Sequence, residues 1–185
     1  MAHAGDTPYV EMRTERLVLR KPRADDLRAV VAACQDPEIP RFIPYVPVPY
    51  GDREGRAFLD SVERAWNESD ERTFAICRDH DVLVGAVTVR LHEGGTVGYW
   101  LSSSARGQGL MTEAVRAVVQ WARTEHGIQW LRLWTHPDNR ASQAVAERAG
   151  FVRIGVGEHT PPFRDGTTVG IRFEIGRHSG SLAQA

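Results

Sequence analysis

The chain has 185 residues, 42% of them hydrophobic, enough for one well-buried core and short for two, since domains commonly run about 100 to 150 residues. Its 23 Lys and Arg are scattered and balanced by 24 Asp and Glu, so there is no polyanion-binding footprint and no nucleic acid partner is expected. The opening residues have neither a basic nor an apolar stretch, and no window approaches the roughly 20 apolar residues that span a bilayer, so no membrane partner is expected either. Cys34 and Cys77 have neither metal-ligand nor disulfide spacing. They fit a reducing cytoplasm and a protein with no metal site.

In chain order, Arg16 to Arg20 alternates charged and aliphatic residues and reads as a short strand. From Ala24 to Cys34, the spacing of Leu27, Val30, Val31 and Cys34 predicts an amphipathic helix. Residues 35 to 52 contain Pro37, Pro40, Pro44, Pro47 and Pro49, which oppose regular hydrogen bonding, yet Phe42, Ile43, Tyr45, Val46 and Tyr50 are too apolar for a free linker. An ordered, packed loop is expected. Asp52 caps a second predicted helix to about Glu68, with Phe58, Leu59, Val62 and Trp66 inward.

The period then changes. Thr73 to Arg78, Val82 to His92 and Thr96 to Leu101 read as an antiparallel meander, turning at Asp79-His80-Asp81 and at Glu93-Gly94-Gly95. Leu110 to His126 is helical, with Gly127 as its stop; Trp130 to Thr135 is a strand, and Asn139 to Ala149 a short helix. Phe151 to Val156 and Thr167 to Ile175 supply two further strands. The fold class is α/β (mixed α+β): a central mixed, mostly antiparallel sheet of about seven strands flanked by about four helices. Residues 13–176 are expected to form one domain, between flexible segments at 1–12 and 177–185.

Between the meander and the helix at Leu110 lies Ser102-Ser103-Ser104-Ala105-Arg106-Gly107-Gln108-Gly109. Glycines at alternate positions let backbone N–H groups turn toward one point and let a ligand approach without a Cβ in the way. The following helix adds unpaired N–H groups and the positive end of its dipole, and Arg106 adds a forked cation. Taken alone, the stretch reads as a diphosphate cradle or as a tight strand-to-helix turn. It is not a Walker loop, which needs Gly-Lys-Ser/Thr, and Thr112 stands where a dinucleotide fingerprint would have its third glycine.

Arg106-Gly107-Gln108-Gly109-Leu110-Met111 resembles the Arg/Gln-x-x-Gly-x-Gly/Ala signature of the GCN5-related N-acetyltransferase superfamily, departing only at Met111. Gly98-Tyr99-Trp100-Leu101 before it, and Asn139-Arg140-Ala141-Ser142 leading to Ala149-Gly150-Phe151 after it, are similar to the RimJ/RimL-type branch. That branch acetylates α-amino groups of ribosomal proteins or amines of small molecules. The resemblance runs from Arg13 to about Ile175.

The resemblance implies a splayed wedge between the fourth and fifth strands and an acyl-CoA-dependent N-acyltransferase using acetyl-CoA or another acyl-CoA. The acceptor would be a primary amine, of a small molecule or a protein N-terminus; the sequence leaves the oligomeric state open, a homodimer included. Arg106 and the amides of Gly107, Gln108, Gly109, Leu110, Met111 and Thr112 would hold the pyrophosphate. The backbone at Leu101 and Ser103 would pair with pantetheine, Asn139 would fix the coenzyme, and Ser142 would face the sulfur as the catalytic hydroxyl. Met111 would point its side chain into the core. Many members have a general-acid Tyr seven residues after the Asn, where this chain has Ala146, and often a Glu where it has Thr96. The general base is therefore unassigned among Glu93, His92, His136, Glu158 and His159. Phe42, Tyr45, Tyr50 and the loop from Glu158 to Arg164 would wall the acceptor side. The departures keep open a second reading, a non-catalytic acyl-CoA-binding module.

Overall fold

Period-2 alternation in the central strands sends neighbouring side chains to opposite faces, and that division organises the molecule. The computed structural model describes residues 10–78 and 81–176. Asp79 and His80 of one expected turn, residues 1–9 and the tail from 177 lie outside the described residues.

Eight strands form one sheet in the order β1-β2-β3-β4-β5-β6-β8-β7. They are β1 (Glu11–Arg13), β2 (Val18–Arg20), β3 (Glu71–Arg78), β4 (Val82–Arg90), β5 (Gly95–Leu101), β6 (Trp130–Thr135), β7 (Val152–Glu158) and β8 (Val169–Gly176). The helices are α1 (Leu27–Cys34), α2 (Glu38–Phe42), α3 (Asp52–Glu68), α4 (Leu110–His126) and α5 (Arg140–Ala149). Every strand pair is antiparallel except β5 with β6. The mixed, mostly antiparallel sheet is as the sequence predicts.

Two elements exceed the expectation. Strand β1 pairs Met12 with Leu19 of β2, so Glu11 and Met12 belong to the sheet and not to a flexible segment. Three residues are too short to display a period. Helix α2 forms inside the proline-rich stretch, because Pro37 precedes it and Pro40 sits in its first turn, where N–H groups have no intrahelical partner to lose.

On one face, Phe74 and Ile76 of β3 join Val62 and Trp66 of α3, the apolar side of α4 and Ala146 and Ala149 of α5. Phe74 meets Trp66 and Trp121 edge-on at 5.2 and 5.1 Å. On the other face, Ala75 and Cys77 pack with Val30, Ala33 and Cys34 of α1 and Ile39 of α2. Each fully buried aliphatic or aromatic side chain contributes about 1.5–3 kcal/mol. Tyr50 lies in this second cluster, 9% exposed, so it is core and not an acceptor wall as expected. Burial pushes the Cys34 thiol up to about 11 and the Cys77 thiol up to about 12, leaving both neutral.

Arg20 is almost fully buried and answers its charge with a two-pronged pair to Asp26 at 2.8 and 2.9 Å and a bond to Asp81 at 2.7 Å. Among the described residues no helix is long and apolar enough to cross a membrane.

Candidate active site

The site begins where two strands part. Strands β5 and β6 pair in parallel only at Gly95, Thr96 and Val97 against Leu131, Arg132 and Leu133. Beyond Val97, β5 continues to Leu101 with β4 on its other side, while Trp134 and Thr135 of β6 pair with β8. Ser102 donates its N–H to Val84 of β4 at 2.8 Å. By the alternation of an antiparallel ladder, the backbone groups of Tyr99 and Leu101 then face away from β4, into the wedge. The resulting cleft has a volume of about 850 Å³ and takes in the loop glycines, Tyr99, Asn139 and Ser142.

At the mouth of the wedge, Gly107 and Gly109 adopt φ of 76° and 77°, in the left-handed region where a Cβ is strained. A Cβ at Gly107 would meet nothing within 4 Å. The loop tightens through a 3-10 turn at Ser103–Ala105, with the Arg106 N–H donating to Ser103 O at 3.3 Å. Glu113 is the first α4 residue whose amide finds a backbone acceptor, Gly109 O at 3.2 Å. The amides from Gly107 through Thr112 have no hydrogen-bond partner among the described residues. A run of unpaired donors at a helix start is what an anion binds. The side chains of Leu110 and Met111 meanwhile fill the core, as expected for Met111.

Arg106 is placed differently from the expectation. Its Nε donates to Leu101 O at 3.0 Å and its Nη2 lies 2.9 Å from the Asp36 carboxylate. It pins the loop to the end of β5 and engages the Leu101 carbonyl, so its guanidinium serves the loop's shape first. The cation over the outer side of the loop is Arg16, which donates to Gln108 O at 2.9 Å and to Glu113 at 2.7 Å; Arg78 holds the Gln108 side chain at 2.9 Å. The loop's own sequence gives no sign of Arg16, because it reaches the loop from the turn between β1 and β2.

Asn139 caps α5, its Oδ1 accepting from the Ser142 N–H at 3.0 Å. That cap sets the first turn of the helix and hence the position of Ser142. The Tyr99 hydroxyl lies 3.1 Å from both the Ser142 carbonyl and the Ser142 Oγ. A phenol has one proton. Donated to the carbonyl, it leaves the phenol oxygen to accept from the Ser142 hydroxyl. Burial pushes the Tyr99 phenol above its ordinary range, the bond to Ser142 opposing, so the ring stays neutral. Sequence reasoning gave Tyr99 no role; its signal was the Gly98-Tyr99-Trp100-Leu101 stretch. The nearby Thr135 hydroxyl is buried and has no partner among the described residues.

Across the sheet, Phe42 and Tyr45 face the loop after β7. Arg164 donates to Pro40 O at 3.1 Å and to Val46 O at 2.7 Å, joining these connectors into one rim. His136, 4% exposed, has both ring nitrogens engaged: Nδ1 accepts from the Asp138 N–H at 3.0 Å and Nε2 bonds Asp165 at 3.1 Å. Glu93 accepts from the amides of Gln129 and Trp130. His92 is exposed, beside Asp70. Glu93 and His92 are not part of the cleft lining, whereas His136 lines it with both of its nitrogens already engaged.

Unpaired amides at a helix start beside a wedge in a mixed sheet, with a hydroxyl pair inside it, make a cleft that can seat an anionic ligand next to a polar reaction site. The family model for the acetyltransferase (GNAT) domain matches residues 16–152, and the chain belongs to that family. It is 33% identical over 88 residues to a Bacillus subtilis protein called probable N-acetyltransferase YjcK, covering 48% of this chain and 46% of that one. It is 29% identical over 79 residues to the ribosomal-protein-serine acetyltransferase of Escherichia coli, covering 40% and 44%. The matched stretches thus span under half of either relative. RimL, a ribosomal L7/L12 alpha-N-protein acetyltransferase solved in complex with coenzyme A, superposes with a TM-score of 0.80 at 17% identity, covering 90% of this chain and 98% of that one. That likeness is one of fold.

Proposed function

We propose that the protein transfers an acetyl group from acetyl-CoA to a primary amine by direct attack in a ternary complex. The observation that supports this most is the run of unpaired amides from Gly107 to Thr112 at the mouth of the wedge. There the pyrophosphate would sit, with pantetheine extending along β5 at Tyr99 and the Leu101 N–H like an added strand, the Leu101 carbonyl being held by Arg106. Ser103, its carbonyl taken by Arg106, would contribute through its N–H, and Asn139 through its amide nitrogen. Arg106 would hold the loop's shape while the amides supply the grip.

The coenzyme supplies an activated acyl group. Ser142 faces the thiol as a proton relay, and Tyr99 is its positioning residue. Orienting both substrates supplies much of the rate, about 7–11 kcal/mol in favourable cases. The acceptor is a small-molecule amine or a protein N-terminus, the latter favoured by the ribosomal-protein acetyltransferases among the relatives. A cytoplasmic setting is in keeping with two neutral, buried, free cysteines. Exposed Val152, Ile154 and Val156 on the sheet's edge strand β7 are in keeping with a homodimer.

Calorimetry with acetyl-CoA, followed by acceptor-dependent thiol release over peptides with free N-termini, polyamines and amino sugars, tests the reading. Ser142→Ala and Tyr99→Phe should lower turnover at least tenfold with acetyl-CoA affinity within threefold of the parent. Tight acetyl-CoA binding without amine-dependent release would instead support a binding module.

A further inference from the structure

The transfer needs a group to take a proton from the incoming ammonium, and the wedge has two faces on which it can stand. Leu131 and Leu133 of β6 belong to the core under α4 and α5, the face that holds Ser142. By alternation Trp134 faces the other way. Against Trp134, centroid to centroid at 5.9 Å, lies His159, just beyond β7 and lining the cleft. The imidazole and the Ser142 hydroxyl therefore approach the wedge from opposite sides of the sheet.

His159 is held on two counts. Its ring stacks on Phe163 at 4.2 Å with an interplanar angle of 17°. Its Nδ1 lies 2.8 Å from the Pro161 carbonyl, which can only accept, so Nδ1 carries the hydrogen and Nε2 keeps its lone pair. Nε2 has no partner among the described residues. A fixed ring, a fixed tautomer and an uncommitted nitrogen are what a general base requires. Of the other candidate bases, His136 has no free nitrogen, and Glu93 and His92 are occupied elsewhere. Glu158 lines the same cleft but is exposed, with no partner to orient it among the described residues.

We propose that His159 is the general base of the transfer, a role that rests on the acetyltransferase reading above. An acceptor ammonium entering past Phe42 and Tyr45 gives one proton to Nε2, and the neutral amine nitrogen attacks the thioester carbon as the carbonyl pair moves to oxygen. On collapse the carbon–sulfur bond breaks. The thiolate takes a proton from the Ser142 hydroxyl, which recovers one from the new amide nitrogen. His159 returns its proton to solvent. The charged or titratable groups around the ring are Glu158 on β7, Arg172 on β8, the His136–Asp165 pair across Phe163, and Tyr45, whose hydroxyl donates to Thr160 O.

The experiment is the pH dependence of kcat/KM, read as thiol release from acetyl-CoA with the best amine of the panel, for the parent, His159→Ala, His159→Gln and Glu158→Gln. The parent should show an acidic limb that both His159 variants lose, with kcat falling 10²- to 10⁴-fold at neutral pH. Acetyl-CoA affinity should stay within twofold and melting temperature should show both variants folded. Added imidazole should restore part of the His159→Ala rate, which a merely structural role would not allow. Glu158→Gln should keep the acidic limb. An unchanged profile in folded His159→Ala, or loss of the limb in Glu158→Gln alone, overturns the assignment while leaving the transferase reading intact. A parent that releases no thiol with any amine overturns both.

Discussion

Replacing Gly107 tests the cradle most directly, because its surroundings separate two effects. With φ at 76°, any L side chain there is strained, and Gly107→Ala should cost about 1–2 kcal/mol of folding stability. A Cβ at that position points into open space. No protein group lies within 4 Å of a Cβ at Gly107 among the described residues, whereas a carboxylate at Gly109 would face Arg16, whose Nη2 is 3.6 Å from the ideal Cβ. Gly107→Asp thus carries the strain of the alanine variant plus one unscreened negative charge. At roughly 5 Å from a phosphate and an effective dielectric of about 20, the repulsion is about 3 kcal/mol. That corresponds to about 100-fold in Kd. Calorimetry with acetyl-CoA should find Gly107→Ala within a fewfold of the parent and Gly107→Asp about 100-fold weaker, the gap narrowing as salt is raised. Equal affinity in the two variants would refute this location for the pyrophosphate.

Arg20→Ala should remove about 3–5 kcal/mol of stability, since it strands the buried Asp26 carboxylate; urea denaturation at neutral pH measures it. Acid should loosen the attachment of the first turn to α4. Glu113 is held below its ordinary 4.5, against the opposing effect of burial, by Thr14 and Arg16. A depressed folded value stabilises above the unfolded one and is lost as pH falls through the folded one, so the urea midpoint should drop as pH falls below about 4.5. Glu113→Gln should flatten that dependence.

The sequence makes the cradle legible because its parts are local: two glycines, a helix start and the strand before them lie within a few residues. The parallel pairing of β5 with β6 follows from the strand-helix-strand order, whereas its ending after Val97, which opens the wedge, is implied only by the family resemblance. Contacts between remote segments were not readable. Arg106 looks like a ligand cation until Asp36, seventy residues earlier, is seen beside it. Tyr99 gains meaning only once α5 lays Ser142 against it. The proline-rich stretch hid α2 because proline counts obscure which turn each proline occupies. The sequence does not rank the five candidate bases either, since the backbone groups that hold the histidines and Glu93 are brought near only by folding.

The rim tied by Arg164 has a consequence for how such a protein changes over time. Its members, around Pro40 to Val46 and Thr160 to Arg164, are connectors outside the paired strands, whereas the cradle is anchored to β5 and α4. Insertions or substitutions in the rim can reshape the acceptor's doorway while the donor's seat stays as it is. One scaffold can thereby be retargeted to new amines by drift in two short segments, provided the arginine tether between them moves with them.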